Sequence, residues 1–169
     1  MSCKRMIRKP EVMRVTWPGQ VRVEPWTEDK SKAVGGFLHR VGAKLSSECR
    51  DGTLASAVYY SLRAFAYQKA HETPYLQAAQ QASSLVFDAK TNELIAVCLL
   101  CGGDDLCGLY HLEVDPKCQR RGIGRAMMRK ALATLAEAKV PLMDLWACDG
   151  SPGIPLYEEL GFVFTGEED

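Results

Sequence analysis

The stretch from Leu109 to Ala126 constrains the fold of this chain more than any other part of the sequence. A strand-like run ends at Pro116, a basic loop containing Gly122 and Gly124 follows, and a helical pattern begins at Arg125. The first backbone N–H groups of a helix have no intrahelical partner, and the helix dipole adds partial positive charge there. The stretch therefore predicts an anion-binding turn of the kind that holds phosphate.

Known phosphate-binding patterns narrow this prediction. A Walker loop is excluded because Arg125 and Ala126 follow the second glycine, and the dinucleotide fingerprint is excluded because Met127 takes the place of its third glycine. What remains is Gln-Arg-Arg-Gly-Ile-Gly-Arg-Ala, preceded by Val-Asp-Pro. This sequence resembles the acyl-CoA pyrophosphate loop of the GCN5-related N-acetyltransferase (GNAT) superfamily, whose pattern is Gln/Arg-x-x-Gly-x-Gly/Ala.

A second motif, from Leu156 to Phe162, is similar to the Leu-Tyr, three residues, Gly-Phe pattern of the same superfamily. Alone, Tyr157 would be read as a tyrosine that packs on its ring and leaves its hydroxyl in water. Beside the pyrophosphate loop, the resemblance implies that Tyr157 is the acid that protonates the departing CoA thiolate.

The resemblance also implies a set of cofactor-binding residues and a base. Acetyl-CoA is the expected co-substrate, with a backbone N–H near Val114 polarising its carbonyl. We expect Glu113 to be the base, with His111 and Asp144 as alternatives; each could instead be a solvated charge, with the amine deprotonated through water. The expected cofactor-binding residues are Leu112, Glu113, Val114, Gln119, Arg120, Arg121, Gly122, Ile123, Gly124, Arg125, Ala126 and Tyr157.

The order of predicted elements gives an α+β fold. A hairpin of Met13–Trp17 with Val21–Glu24 precedes helices, three antiparallel strands, a crossover helix and a further strand. The resemblance makes this the acyl-CoA N-acyltransferase fold: an antiparallel meander and a splayed parallel strand pair, flanked by helices. We expect residues 1–20 to be an N-terminal arm or extra strand, and residues 21–169 to be the N-acetyltransferase domain.

Composition excludes several classes of function. The formal net charge is +0, which argues against a nucleic-acid binder, and no apolar run approaches the length of roughly 20 residues that spans a membrane. An odd count of 7 cysteines without a secretory signal indicates reduced thiols and a cytoplasmic protein. Cys98 and Cys101 have zinc-like spacing, but no second pair follows and their run is apolar, so we expect core cysteines and no metal.

Two departures from the superfamily pattern stand out. Gly150 occupies a position where the family often has Asn, and Asp149 or Ser151 are the candidates to replace it. The sequence also stops at Asp169, where the family usually continues through a long hairpin. Either the C-terminus is shortened here, or the N-terminal hairpin or a partner chain covers that sheet edge, and we expect a homodimer.

The predicted function is transfer of an acetyl group from acetyl-CoA to a primary amine. The acceptor should bind near the helices between Thr27 and Gln81, but their sequence names no substrate. The alternative is a catalytically silent acyl-CoA-binding module or sensor with the same fold. A nucleotide-phosphate binder is a third interpretation, which the missing Walker residues disfavour.

Overall fold

The computed structural model describes all residues from Met1 to Asp169 and contains one seven-stranded sheet with helices on both faces. The strands are β1 (Cys3–Arg8), β2 (Val21–Glu24), β3 (Ser84–Asp88), β4 (Leu94–Gly102), β5 (Cys107–Val114), β6 (Met143–Cys148) and β7 (Val163–Glu168). The helices are α1 (Ser31–Arg40), α2 (Leu54–Ala70), α3 (Leu76–Ala82), α4 (Ile123–Glu137) and α5 (Ile154–Glu159).

The sheet order is β2-β3-β4-β5-β6-β1-β7. Every neighbouring pair is antiparallel except β5 and β6, which are parallel and joined by α4. The predicted meander, crossover helix and parallel pair are therefore confirmed, and with them the acyl-CoA N-acyltransferase fold.

The N-terminal segment differs from the prediction. Positions 9–20 form no strand, so the predicted hairpin of Met13–Trp17 with Val21–Glu24 is wrong, and the true first strand is Cys3–Arg8. This strand lies between β6 and β7 and pairs with both. The division of the chain at residue 20 stays a prediction, although β1 is an interior strand of the common sheet.

Positions 9–20 form an irregular segment that runs across one face of the sheet. They must connect β1 to β2, a distance of roughly 24 Å at the usual strand spacing, and an extended segment of this length reaches roughly 40 Å. Met13 and Trp17 pack against the core on the α4 side, and Arg129 of α4 donates to the carbonyl of Arg14 at 3.4 Å. Met13 and Trp17 therefore pack against the core beside α4, and their segment pairs with no strand.

Two hydrophobic cores lie on opposite faces of the sheet. The larger lies against α3, α4 and α5, and the smaller lies against α1 and α2. β4 contributes to both cores, which explains its continuous apolar sequence. Gly35 lets the two helices of the smaller core approach closely, because a Cβ there would lie 2.6 Å from the Cα of Val58. The Gly-Gly pair thus sits inside one continuous helix.

The structure corrects part of the prediction about the cysteines. Cys3 and Cys148 stand opposite each other in the β1–β6 pair, with Cα atoms 3.8 Å apart, and form a disulfide. The expectation of reduced thiols is wrong for this pair. The other five are free; Cys98 and Cys107 are buried in the larger core, and no group of three or more potential metal ligands occurs.

Two further observations concern surfaces. None of the helices combines the length and apolar character needed to cross a membrane. β7 is an edge strand on which Val163 and Phe164 are exposed. The homodimer expected from the sequence stays a prediction.

Candidate active site

A gap opens in the middle of the sheet between β5 and β6. The two strands pair only at their N-terminal ends, through Cys107 with Met143 and Gly108 with Asp144. Beyond Gly108 they diverge, and the edge of β5 that faces β6 has no strand partner. Backbone N–H and C=O groups along that edge are therefore available to a ligand that enters the gap.

A β-bulge lies in β5 at this gap. Leu99 pairs with His111 and Leu100 with Leu109, so Tyr110 is the extra residue. The bulge turns the Tyr110 ring toward α2, where it stacks on Tyr60 at 4.6 Å between ring centroids. Tyr110 therefore packs against the smaller core, whereas Leu112 and Val114 pack against the larger core.

The loop before α4 has the backbone geometry of an anion-binding turn. Arg120 and Gly122 adopt left-handed conformations with φ of 63° and 83°, and Gly122 is the N-cap of α4. The helix begins at Ile123, two residues before the predicted start. The first N–H bonded in the helical manner is that of Ala126, which donates to the carbonyl of Gly122 at 3.0 Å. The N–H groups of positions 123–125 are thus available to an anion.

An ion pair anchors the start of this loop. Asp115 is buried, accepts from Arg40 of α1 at 2.8 Å and also accepts from the backbone N–H of Lys117 at 3.0 Å. The Arg40 hydrogen bond, opposed by burial, holds the pKa of Asp115 below its ordinary value. Gln119 donates back to the carbonyl of Val114 at 3.2 Å. These contacts fix the loop relative to both β5 and α1.

A cavity of about 680 Å³ occupies the gap and the loop. Ten of the twelve expected cofactor-binding residues line it, whereas Arg121 and Ala126 do not. Ala126 is a buried residue of α4, and Arg121 is exposed outside the cavity. Those that line it are Leu112, Glu113, Val114, Gln119, Arg120, Gly122, Ile123, Gly124, Arg125 and Tyr157.

Tyr157 of α5 is a buried residue that lines this cavity. Its ring covers Gly153, where a Cβ would lie 2.8 Å from the hydroxyl oxygen, so this glycine makes room for the tyrosine. Burial, with smaller contributions from Cys98 and Glu113, raises the pKa of Tyr157 to about 12. The hydroxyl therefore stays protonated at neutral pH and can donate a proton.

The three candidates for the catalytic base differ in whether they line the cavity. Glu113 and His111 line the cavity, with His111 Nε2 at 3.4 Å from a Glu113 oxygen and Nδ1 at 3.1 Å from the Tyr60 hydroxyl. Asp144 lies outside the cavity and accepts from Arg5 at 2.9 Å. Burial raises the pKa of Asp144, and the Arg5 ion pair opposes that shift. Glu113 and His111 are therefore the acidic and basic side chains that can face a bound amine.

The remaining cavity residues include one candidate from the sequence and several residues that the sequence did not predict. Of the candidates to replace the missing Asn, Ser151 lines the cavity, whereas Asp149 is exposed on the surface near Lys4. The wall opposite the loop is the turn after α1, positions 41–44, which tertiary packing brings to β5 without any local sequence signal. Cys118, Pro152, Gly153 and Leu156 also line the cavity.

Comparison with known proteins agrees with this geometry. The sequence profile of the Acetyltransferase (GNAT) family matches residues 54–162, which include the gap, the loop and Tyr157. The chain belongs to the GNAT family. A mycothiol acetyltransferase from Acidothermus cellulolyticus is 38% identical over 68 residues, which are 40% of this chain and 21% of that protein. The chain thus matches a minor part of that relative's length.

Solved structures of GNAT proteins share the fold. The GCN5-related N-acetyltransferase of Sphaerobacter thermophilus superposes with a TM-score of 0.67 at 12% identity, covering 96% of this chain and 48% of that one. The ribosomal-protein-S18-alanine N-acetyltransferase of Escherichia coli superposes with a TM-score of 0.60 at 20% identity, covering 85% and 78%. These similarities concern the fold, and the acetyltransferase assignment comes from the family.

Proposed function

We propose that this GNAT protein transfers the acetyl group of acetyl-CoA to a primary amine, with the thioester held in the gap between β5 and β6. The observation that carries the proposal is the single cavity that joins the free edge of β5, the N-terminus of α4 and the buried Tyr157 hydroxyl. The pyrophosphate would bind the N–H groups at the start of α4, with Arg120 nearby. Arg125 is held by Glu159 at 2.9 Å and would have to leave it to reach the phosphates.

The proposed reaction begins with attack of a neutral amine on the thioester carbonyl carbon. A backbone N–H on the free edge of β5 stabilises the oxyanion of the tetrahedral intermediate. The C–S bond then breaks, and the CoA sulfur takes the proton of Tyr157 while the C–N bond of the amide remains. Glu113 accepts the proton that the amine loses, and solvent restores both side chains.

The His111 pair favours Glu113 as the base. An ionised carboxylate only accepts hydrogen bonds, so the proton between them lies on His111 Nε2. His111 Nδ1 lies 3.1 Å from the Tyr60 hydroxyl, which donates to the Tyr110 carbonyl at 3.2 Å. Burial raises the pKa of Tyr60 and keeps that donor protonated. His111 and Tyr60 thereby position the Glu113 carboxylate toward the cavity.

The test is a CoA-release assay with acetyl-CoA and a panel of small amines, amino acids, polyamines, aminoglycosides and peptides with free N-termini. Calorimetric titration of CoA is run in parallel. We expect CoA to bind and at least one class of amine to be acetylated. Binding of CoA without acetylation of any amine would contradict the proposal and would favour the silent acyl-CoA-binding module. ATP binding as tight as that of CoA would contradict the cofactor assignment.

A further inference from the structure

A second cavity of about 460 Å³ adjoins the acyl-CoA cavity on its α1–α2 side. The two share the wall formed by Gly42, Ala43 and Lys44. None of the residues of the loop before α4 lines the second cavity. Its volume is within the range of small-molecule sites.

The lining of the second cavity is apolar at its base and basic at its rim. Leu38, Cys49 and Ala57 are buried side chains of the smaller core that form part of its surface. The charged side chains that line it are Lys44 and Arg50, and His39 adds a further N–H donor. No aspartate or glutamate lines this cavity.

The basic side chains are not neutralised by the protein. His39, Lys44 and Arg50 take part in none of the ion pairs of the structure, in contrast to Arg40 and Arg63 on the adjoining helices. The two acids nearest to Arg50 in sequence make contacts elsewhere. Glu48 pairs with Arg63 at 2.6 Å. Asp51 accepts from the backbone N–H and the hydroxyl of Thr53, both at 3.0 Å.

Lys44 connects the two cavities because it lines both. An acceptor that places its amine near Glu113 can extend past positions 42–44 into the second cavity. There it would meet uncompensated positive charge beside an apolar surface. Cationic rims of this kind favour carboxylates and phosphates through charge-assisted hydrogen bonds.

We propose that the acceptor amine carries an apolar part and an anionic group, either carboxylate or phosphate, and that Arg50, Lys44 and His39 bind this group in the second cavity. The proposal rests on the proposed acetyl transfer and adds the class of acceptor. It assigns the second cavity to the acceptor and leaves the CoA phosphates to the loop before α4.

The experiment uses matched pairs of C-terminally amidated dipeptides that differ in charge: leucyl-glutamate amide with leucyl-glutamine amide, and leucyl-phosphoserine amide with leucyl-serine amide. Each is titrated calorimetrically into the full chain saturated with CoA, and each is then assayed with acetyl-CoA. We expect the anionic member of at least one pair to bind about tenfold more tightly, the effect of one charge-assisted contact. The pair with the larger difference in Kd shows whether the site prefers a carboxylate or a phosphate.

The His39→Gln/Arg50→Gln double variant should lose this preference and keep the wild-type Kd for CoA, because neither residue lines the first cavity. Lys32→Gln is the matched control, since Lys32 is an exposed α1 residue outside both cavities. Equal binding of both members of each pair, or a preference that survives in the double variant, would overturn the proposal. A preference without acetylation of any amine would support the subsite and contradict acetyl transfer.

Discussion

The buried position of Tyr157 determines what the residue can do. A phenol with a pKa of about 12 keeps its proton throughout the physiological range, and that proton is what an expelled thiolate requires. The same burial places the ring against Gly153, so the hydroxyl has one position relative to the cavity.

Tyr157→Phe should lower kcat by about 100-fold, with the Kd for CoA unchanged, because only proton donation is removed. The raised pKa fixes the sign of the pH dependence: the protonated acid is lost only as pH rises through about 12. In the wild type we therefore expect no alkaline loss of kcat from this group between about pH 6 and about pH 10. Steady-state kinetics across pH check both points, with the exposed Tyr67→Phe as control. A Tyr157→Phe variant with wild-type kcat would refute the acid role.

In the proposed mechanism the Tyr60 hydroxyl positions His111. It lies between the Tyr110 carbonyl, at 3.2 Å, and His111 Nδ1, at 3.1 Å. Tyr60→Phe removes one hydrogen bond of about 1 kcal/mol and should lower kcat about fivefold, leaving the Kd for CoA unchanged. Tyr59→Phe, at the exposed neighbouring position, is the control and should match the wild type. If both variants keep the wild-type kcat, the His111–Glu113 pair needs no support from α2.

At the scale of elements, the start of α4 is the proposed anion site. Gly124 lines the cavity, and a Cβ there would make only ordinary contacts, 3.7 Å to Leu156 and 3.9 Å to Val114. The fold therefore tolerates a side chain at this position, whereas the γ-carbons of a valine would occupy the space beside the free N–H groups.

Gly124→Val should weaken CoA binding by about 100-fold, or about 2.7 kcal/mol, with little change in the free energy of unfolding. Calorimetry and urea denaturation measure the two effects. Gly36→Val is the matched control, because Gly36 is also helical and a Cβ there would meet nothing within 4 Å. A folded Gly124→Val variant with wild-type affinity for CoA would show that the loop does not hold the pyrophosphate.

The Arg40–Asp115 ion pair joins three elements, since Arg40 also donates to the carbonyl of Leu94 at the start of β4. Because the folded pKa of Asp115 is lowered, its contribution to stability is present above its ordinary pKa and is lost as pH falls through the folded value. Asp115→Asn should reduce the free energy of unfolding by about 1–3 kcal/mol at neutral pH.

Urea denaturation at several pH values measures this loss. We expect the difference between the wild type and Asp115→Asn to shrink below about pH 4. Asp104→Asn, in the exposed turn between β4 and β5, should show no such dependence. A difference that stays constant down to about pH 2 would mean that the ionised carboxylate is not what stabilises the loop.

At the scale of the whole molecule, local patterns predicted the elements that contain the candidate active site. The β5–α4–β6 crossover follows from alternation, Pro116, two glycines and an amphipathic helix, all within one stretch of sequence. β1 was missed because Cys3–Arg8 is largely basic and only Met6 is fully buried, and because its partners β6 and β7 are distant in sequence. The bulge at Tyr110 and the wall at positions 41–44 likewise arise from tertiary contacts.

The insertion of β1 gives the Cys3–Cys148 disulfide a defined mechanical role. β1 lies between β6, which forms one wall of the gap, and β7, the last strand. The disulfide links β1 covalently to β6, and β7 pairs with the sheet only through β1. It links residues 145 positions apart, and a cross-link over so long a loop restricts the unfolded chain strongly.

Cys3→Ser should therefore lower the free energy of unfolding by about 2–4 kcal/mol under oxidising conditions. Reductant should destabilise the wild type to the same extent and leave Cys3→Ser unaffected, as measured by thermal unfolding with and without reductant. Cys118→Ser, at a free and partly exposed cysteine, is the control that should keep the sensitivity to reductant. If the wild type unfolds at the same temperature in both conditions, β1 is held in the sheet by its backbone pairing and by the burial of Met6 alone.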